Sequence, residues 1–362
     1  MNKLRISINA KRFETAYGGV NQAANTLEDN LKSKGHQVFR LLEPNLDLIL
    51  ILSSNCKSKT TSFNFNDISD YLDAYPNTVV IHRVNSSDES RGNDLGINSS
   101  MIKYNQLADF SVFISQFIQD TYKAKGMISQ HSQVILNGAD RNIFYPNKLI
   151  NKLNEQEKIK IVTHHWSSNF MKGFDIYERL DQLLGVEPFS KMFEFTCIGN
   201  IPLGVSLNNS HLIEPLANFE LAEELRQHHV YLTAARNEAA GMHHIEGMLC
   251  GLPVLFLNSG ALPEYCSPYG LEFSLINFEE KILEMRNQYH KLKEKALNCN
   301  YTSQLMVNQL EEVIISCVEK RRLNPRKKKC IIRILLNKFI KKPYRSVIYT
   351  MKKACNYIQR KF

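Results

Sequence analysis

Glu238 and Glu246 stand eight positions apart in "RNEAAGMHHIEGMLCGLPV", a stretch whose other residues read mostly as core. A carboxylate accepts two hydroxyl hydrogen bonds at once, so such a pair suits a ligand with vicinal hydroxyls, a sugar or a ribose. Glu238 falls in a loop after the apolar run "VYLTAA", and Glu246 falls on the helix that follows. Gly241 and Met242 lie near the start of that helix, where backbone N–H groups lack intrahelical partners and can hold a ligand oxygen. A surface acid placed favourably near a helix start is a sufficient structural account of Glu238. It is a poor one for Glu246, set among Ile245, Met248 and Leu249.

A second constellation is "VTHHWSSNFMKGFDIYERLDQL". A strand ends at His164 and His165, a loop carries Ser167, Ser168 and Asn169, and Lys172 precedes a helix running to about Leu184. A cation and small polar side chains at a helix start suit a phosphate. A lysine there with no anion is mildly disfavoured by the helix dipole. His82 closes "TVVIH", and in open α/β sheets ligands sit outside the carboxyl ends of strands; the alternative is a histidine satisfied inside the fold. Gly18 and Gly19 close a strand-to-helix loop, either to let a bound anion approach the backbone or to make a tight turn. In "NSGALPEY" the small residues allow close approach, and Glu264 is either a ligand contact or an acid at a helix N-terminus. Asn137 and Gly138 form a turn that organises a cleft.

These residues need a scaffold, and the apolar runs supply one. "LDLILIL" (46–52), "NTVVIHRV" (77–84), "FSVFIS" (110–115) and "SQVILNG" (132–138) read as buried strands, after a first strand at Leu4, Ile6 and Ile8. A second set follows at 158–165, 193–199, 229–235 and 253–260. Helical stretches alternate with them, which argues for parallel sheets covered on both faces. The fold class is therefore α/β, with two doubly wound Rossmann-like domains facing across a cleft. The boundaries read as 1–147, a polar linker at 148–157, and 158–320 with a terminal helix at 301–320. Residues 321–362 form a basic tail, amphipathic and helical in its apolar spacing.

That tail dominates the net charge of +9: it holds 15 of the 45 Lys/Arg and none of the 36 Asp/Glu, leaving residues 1–320 at −6. A generally basic, nucleic-acid-binding body is excluded. Eight scattered cysteines without a CxxC pair read as reduced thiols rather than a zinc site. No apolar run approaches the roughly 18 residues of a membrane span, and the N-terminus shows no signal-peptide core. A cytoplasmic protein is the expectation. The tail adds a peripheral position on an anionic membrane surface, with a protein partner, an RNA-binding arm or a disordered basic tail as the alternatives.

Taken in order, the early glycine pair, the histidine at a strand end, Asn137-Gly138-Ala139-Asp140, Lys172-Gly173, the E-x7-E of Glu238 and Glu246 and the small-residue turn ending in Glu264 resemble the nucleotide-sugar glycosyltransferases of the GT-B fold. The resemblance is closest to the large retaining family 4 and covers roughly residues 1–315. It implies transfer of a sugar from a nucleotide-diphosphate sugar to a glycan, lipid-linked or polysaccharide acceptor, with retention. It implies that Glu238 holds sugar hydroxyls, Glu246 the ribose, and Lys172 with Ser168 and Asn169 the leaving diphosphate. Gly18 and Gly19 would lie against the diphosphate or the acceptor, His82 beside the reacting carbon, and Gly241 and Met242 in the sugar pocket. No cofactor is implied beyond the donor itself, and no metal, since no Asp-x-Asp motif stands in a suitable place. The chain departs from the family in having Trp166, Ser167 and Ser168 where an arginine is common, so Arg236 or Arg12 assists or Lys172 works alone. "EAAG" lacks the usual aromatic, and Ser259-Gly260 replaces a double glycine. Two other readings are a GT-B nucleotide-sugar epimerase and a degenerate transferase-fold scaffold that binds glycan or membrane.

Overall fold

The computed structural model describes residues 3–13, 18–54, 59–146 and 157–326. Twelve strands form two six-stranded, wholly parallel sheets. The first contains β1 (Arg5–Ile8), β2 (Gln37–Phe39), β3 (Leu48–Ile51), β4 (Val79–Val84), β5 (Phe110–Phe113) and β6 (Ser132–Val134), in the order β2-β1-β3-β4-β5-β6. The second contains β7 (Ile159–His165), β8 (Phe193–Gly199), β9 (His211–Ile213), β10 (Val230–Thr233), β11 (Val254–Leu257) and β12 (Gly270–Phe273), in the order β12-β11-β10-β7-β8-β9. The connecting helices of the first half are α1 (Gly18–Ser33), α2 (Phe65–Ala74), α3 (Ile97–Asn105) and α4 (Gln116–Ala124). Those of the second are α5 (Phe174–Leu184), α6 (Phe189–Met192), α7 (Asn218–Leu225), α8 (Met242–Leu249), α9 (Leu262–Cys266) and α10 (Phe278–Ala296), and α11 (Ser303–Leu323) closes the described chain.

Every residue of β3, β4, β10 and β11 is buried, as the unbroken apolar runs require of strands covered on both faces. The strand order reverses between β7 and β10, so a crevice opens at their carboxyl ends, and the loops that leave those two strands carry the candidate residues. One apolar cluster joins the halves there. Val84, Phe113, Ile114 and Ile118 of the first pack with Tyr231, Ile245, Leu262 and Tyr265 of the second.

The terminal helix is a correction. Chain order assigns it to the second domain, but α11 packs Met306, Val307, Leu310 and Ile314 against β1, β3, β4 and α1 of the first. The chain returns beside its outward crossing: Ala139 N–H donates to Tyr301 O (3.0 Å) and Ser303 N–H to Ala139 O (2.8 Å). A Cβ at Gly138 would collide with the Thr302 backbone, so only glycine allows this approach. The last turn is pinned to the first sheet by Arg321 on Asp109 (2.6 Å) and Arg322 on Asp47 (3.0 Å). The linker between the domains, apart from Glu157, and the amphipathic segment of the tail lie outside the described residues.

Candidate active site

Lys172 and Glu238 meet at the carboxyl edge of the second sheet. Residues Phe170–Lys172 form a single 3₁₀ turn after β7, capped by the Asn169 side chain, which accepts from Met171 N–H (2.8 Å). Gly173 then turns the chain into α5 at φ +86° with its backbone against Ala234; a Cβ would strike the Ala234 carbonyl. This packing fixes Lys172 beside the loop after β10. Its Nζ lies 2.6 Å from Glu238 Oε2. Burial pushes the Glu238 carboxyl up, but the charge and hydrogen bond of Lys172, followed by His244 and, least, Arg91, hold it below its ordinary value. Among the described residues Glu238 Oε1 has no hydrogen-bond partner, and Lys172 keeps two of its three N–H bonds free of protein acceptors.

The helix start lies at Gly241 and Met242. Gly241 is the N-cap of α8 and supplies no side-chain cap, so the first N–H groups, Met242 included, lack one. A Cβ at Gly241 would meet the His243 ring at 2.5 Å and the Glu238 carboxyl carbon at 3.0 Å, so glycine here makes room for both side chains. One α8 turn further, Glu246 Oε2 pairs with His164 Nε2 at 2.9 Å, and His164 Nδ1 faces the Tyr231 hydroxyl at 3.2 Å. His164 thus ties the end of β7 to the second acid.

Two further histidines of α8 complete a buried aromatic patch. His243 bonds Thr233 (3.1 Å) and lies 4.8 Å, ring to ring, from His165, while His244 packs on Tyr265. Burial pushes the His165 and His243 rings well below their ordinary value and His244 down to about 4. Neutral at neutral pH, these rings pack without adding positive charge beside Lys172.

Five expectations are corrected. His82 does not emerge from its strand. It lies two residues inside the end of β4, wholly buried, with Nε2 bonded to Ser54 Oγ (2.8 Å) and Nδ1 to Asn105 Oδ1 (3.1 Å). Both ring nitrogens are occupied, so it offers no contact to a sugar. Glu264 faces the other half: both carboxylate oxygens accept from Gln116 N–H (3.0 and 2.8 Å) at the start of α4. It is an acid at a helix N-terminus, but of a helix in the opposite domain. Asn169 is committed as well, capping its own turn and donating from Nδ2 to Arg91 O (3.1 Å). Arg236 and Arg12 are engaged elsewhere, Arg236 bidentate to Asp175 (2.8 and 2.6 Å), Arg12 on Glu28 (3.3 Å) and Asp29 (2.9 Å). Ser168 is exposed on its loop, and Gly18 and Gly19 form the first turn of α1 rather than the loop before it.

The halves are also stitched across the crevice. Ser115 Oγ donates to Ala239 O (2.7 Å), Asn137 Nδ2 to Ala240 O (2.8 Å), and the Tyr265 hydroxyl to Ile114 O (2.7 Å) while accepting from Asn137 N–H (2.7 Å). Asn137, read from its turn signal as organising a cleft, therefore holds the loop between Glu238 and Gly241. The His164–Glu246 pair and the Tyr265 clamp carried no assigned role in the sequence, although the two histidines at the end of β7 were visible there. Among the described residues, no group of three or more His, Cys, Asp or Glu side chains is arranged to hold a metal ion.

No protein-family model matches the chain, and no curated protein matches its sequence. Solved structures do match. HepE of Anabaena in complex with UDP-glucose superposes at a TM-score of 0.64, with 14% identity over 86% of this chain and 100% of that one. The catalytic domain of starch synthase IV from Arabidopsis thaliana, bound to ADP and acarbose, gives 0.63, with 12% identity over 88% and 100%. WaaG, a glycosyltransferase involved in lipopolysaccharide biosynthesis, gives 0.59, with 15% identity over 86% and 99%. The likeness defines the class of fold: the chain has the GT-B architecture of two Rossmann-like domains.

Proposed function

We propose that the protein is a glycosyltransferase that moves a sugar from a nucleoside-diphosphate sugar to a glycan, lipid-linked or polysaccharide acceptor. One observation carries this reading: a buried carboxylate with an open oxygen lies beside a lysine with two open N–H bonds and an uncapped helix start. The carboxylate suits sugar hydroxyls. The lysine and helix start suit the negative charge that develops as the nucleoside diphosphate leaves. Glu246, held by His164, is one helical turn or more away and suits the ribose. The GT-B likeness to structures that hold UDP-glucose, or ADP and acarbose, supports the same assignment.

Retention and metal-independence belong to the proposal. Same-face attack, with the leaving phosphate taking the acceptor proton, needs no protein nucleophile; a trapped glycosyl–enzyme adduct would overturn it. Full rate in the presence of a strong chelator is the expected sign of metal-independence. The basic residues of 323–362 would dock the protein on an anionic leaflet near a lipid-linked acceptor, at about 1 kcal/mol for each basic residue near the surface. Among the described residues no helix is long and apolar enough to cross a membrane.

The first experiment is a thermal-shift screen against UDP, ADP and their sugars, followed by mass-spectrometric detection of sugar transfer. A melting temperature raised by one nucleotide series is expected. No shift with any nucleoside diphosphate or its sugars would sink the reading.

A further inference from the structure

The diphosphate proposed for this site carries more charge than Lys172 alone neutralises, and the loop before Lys172 holds no arginine. Arg236, whose backbone N–H bonds Met171 O (2.7 Å), has its guanidinium paired with Asp175, and Arg12 is paired with Glu28 and Asp29. Another arginine lies at the loop without an acid partner among the described residues, and it comes from the other half of the molecule. Arg91 ends a 3₁₀ turn (Glu89–Arg91) after β4. Its carbonyl accepts from Asn169 Nδ2 at 3.1 Å, three residues before Lys172. The next residue, Gly92, lies so close to Met171 that a Cβ there would meet the methionine side chain.

The Arg91 side chain is exposed, and among the described residues none pairs with it. The two acids before it are committed. Glu89 pairs with Lys125 (2.7 Å), and Asp88 accepts the N–H groups of Leu95 (2.9 Å), Ile97 (3.0 Å) and Asn98 (2.9 Å). The charge of Arg91 is also the least of the influences, after Lys172 and His244, that hold the Glu238 carboxyl below its ordinary value.

We infer that Arg91 is the second cationic ligand of the donor diphosphate, supplied across the crevice by the first half. The inference rests on the glycosyltransferase reading above. Its consequence is that the diphosphate bridges the halves, with Lys172 on one side and Arg91 on the other. A planar guanidinium can bond two phosphate oxygens at once, which lysine cannot reproduce in full.

The test is calorimetric titration of the full chain and its R91A and R91K variants with uridine, UMP and UDP and with adenosine, AMP and ADP. For the base that the wild type binds, R91A weakens the diphosphate at least about tenfold, the monophosphate less and the nucleoside not at all. R91K recovers part of the loss, and the difference shrinks at high salt. Arg91 is exposed, so the unliganded melting temperature of R91A stays at the wild-type value. Unchanged diphosphate affinity in R91A overturns the inference and leaves the glycosyltransferase reading standing. An equal loss for nucleoside and diphosphate also overturns it, because a structural defect would act that way. A wild type that binds no nucleoside diphosphate overturns both.

Discussion

Strands β4 and β7 sit inside their own parallel sheets, and each carries histidine near its carboxyl end. They end differently. In β4, His82 is followed by Arg83 and Val84, still inside the strand, and it is enclosed by Ser54 and Asn105. In β7, His164 and His165 are the last two residues, and His164 reaches across to Glu246 on α8. The same local cue gives a core hydrogen-bond network in one half and a site contact in the other. The difference is two residues of strand and what the facing element offers. More broadly, the second half concentrates paired charge at its switch point, while the first half contributes helix ends, backbone carbonyls and Arg91, which pairs with no acid among the described residues.

Three substitutions probe this asymmetry. The largest effect is expected from Glu238→Gln. It keeps the shape but removes the charge that faces Lys172, and sugar transfer should fall by about 10²–10³-fold in kcat/KM, or roughly 2.7–4 kcal/mol of transition-state stabilisation. Steady-state kinetics with an active donor checks this, and transfer at the wild-type rate would remove Glu238 from the chemistry.

His82→Leu should do the opposite, costing stability and sparing turnover. It strands the Ser54 hydroxyl in the core, while Asn105 Oδ1 keeps its bond from Ser111 Oγ, at a cost of about 1–3 kcal/mol in denaturant unfolding. Burial pushes His82 down to about 4, so the folded protein resists a proton that the unfolded chain accepts below its ordinary value of 6.5. The contribution of His82 to stability is therefore full above pH 6.5 and is lost as pH falls through 4. Wild-type stability should fall over that window, and the variant should fall less steeply, by up to about 1.4 kcal/mol per pH unit. A variant that loses turnover at unchanged stability would return His82 to the site and erase the contrast between the strands.

Glu264→Ala is expected to have the smallest effect. It leaves the first N–H groups of α4 without their cross-domain acceptor, worth about 0.5–2 kcal/mol. Thermal unfolding measures this. An affinity loss for the donor sugar with no loss of stability would show that Glu264 faces ligand after all.

Much of the fold was legible. The runs at 46–52, 77–84, 110–115, 158–165, 193–199, 229–235 and 253–260 all contain observed strands, because a strand buried on both faces needs an unbroken apolar sequence. The edge strands β9 and β12 were not legible. His211–Ile213 and Gly270–Phe273 are short and partly exposed, so little apolar patterning marks them. In the candidate site, Lys172 and Glu246 stood out because a cation at a helix start and an acid among apolar helix residues each occupied a position where a bare α/β unit gives it little to do; Glu238 had a sufficient structural account, and its pairing with Lys172 came from the fold.

Residue type and spacing alone determined that two α/β halves exist, that a lysine precedes α5, and that two acids bracket the start of α8. Those are properties of segments, governed by strand burial and helix-end chemistry over a few residues. Only the tertiary structure decided partners. It set Lys172 on Glu238 and His164 on Glu246, drew His82 into the core, turned Glu264 towards α4, carried α11 back to the first sheet and left Arg91 uncommitted beside the Lys172 loop. Each of these depends on what another element, many residues away, presents within hydrogen-bonding or packing distance, and no local pattern encodes that.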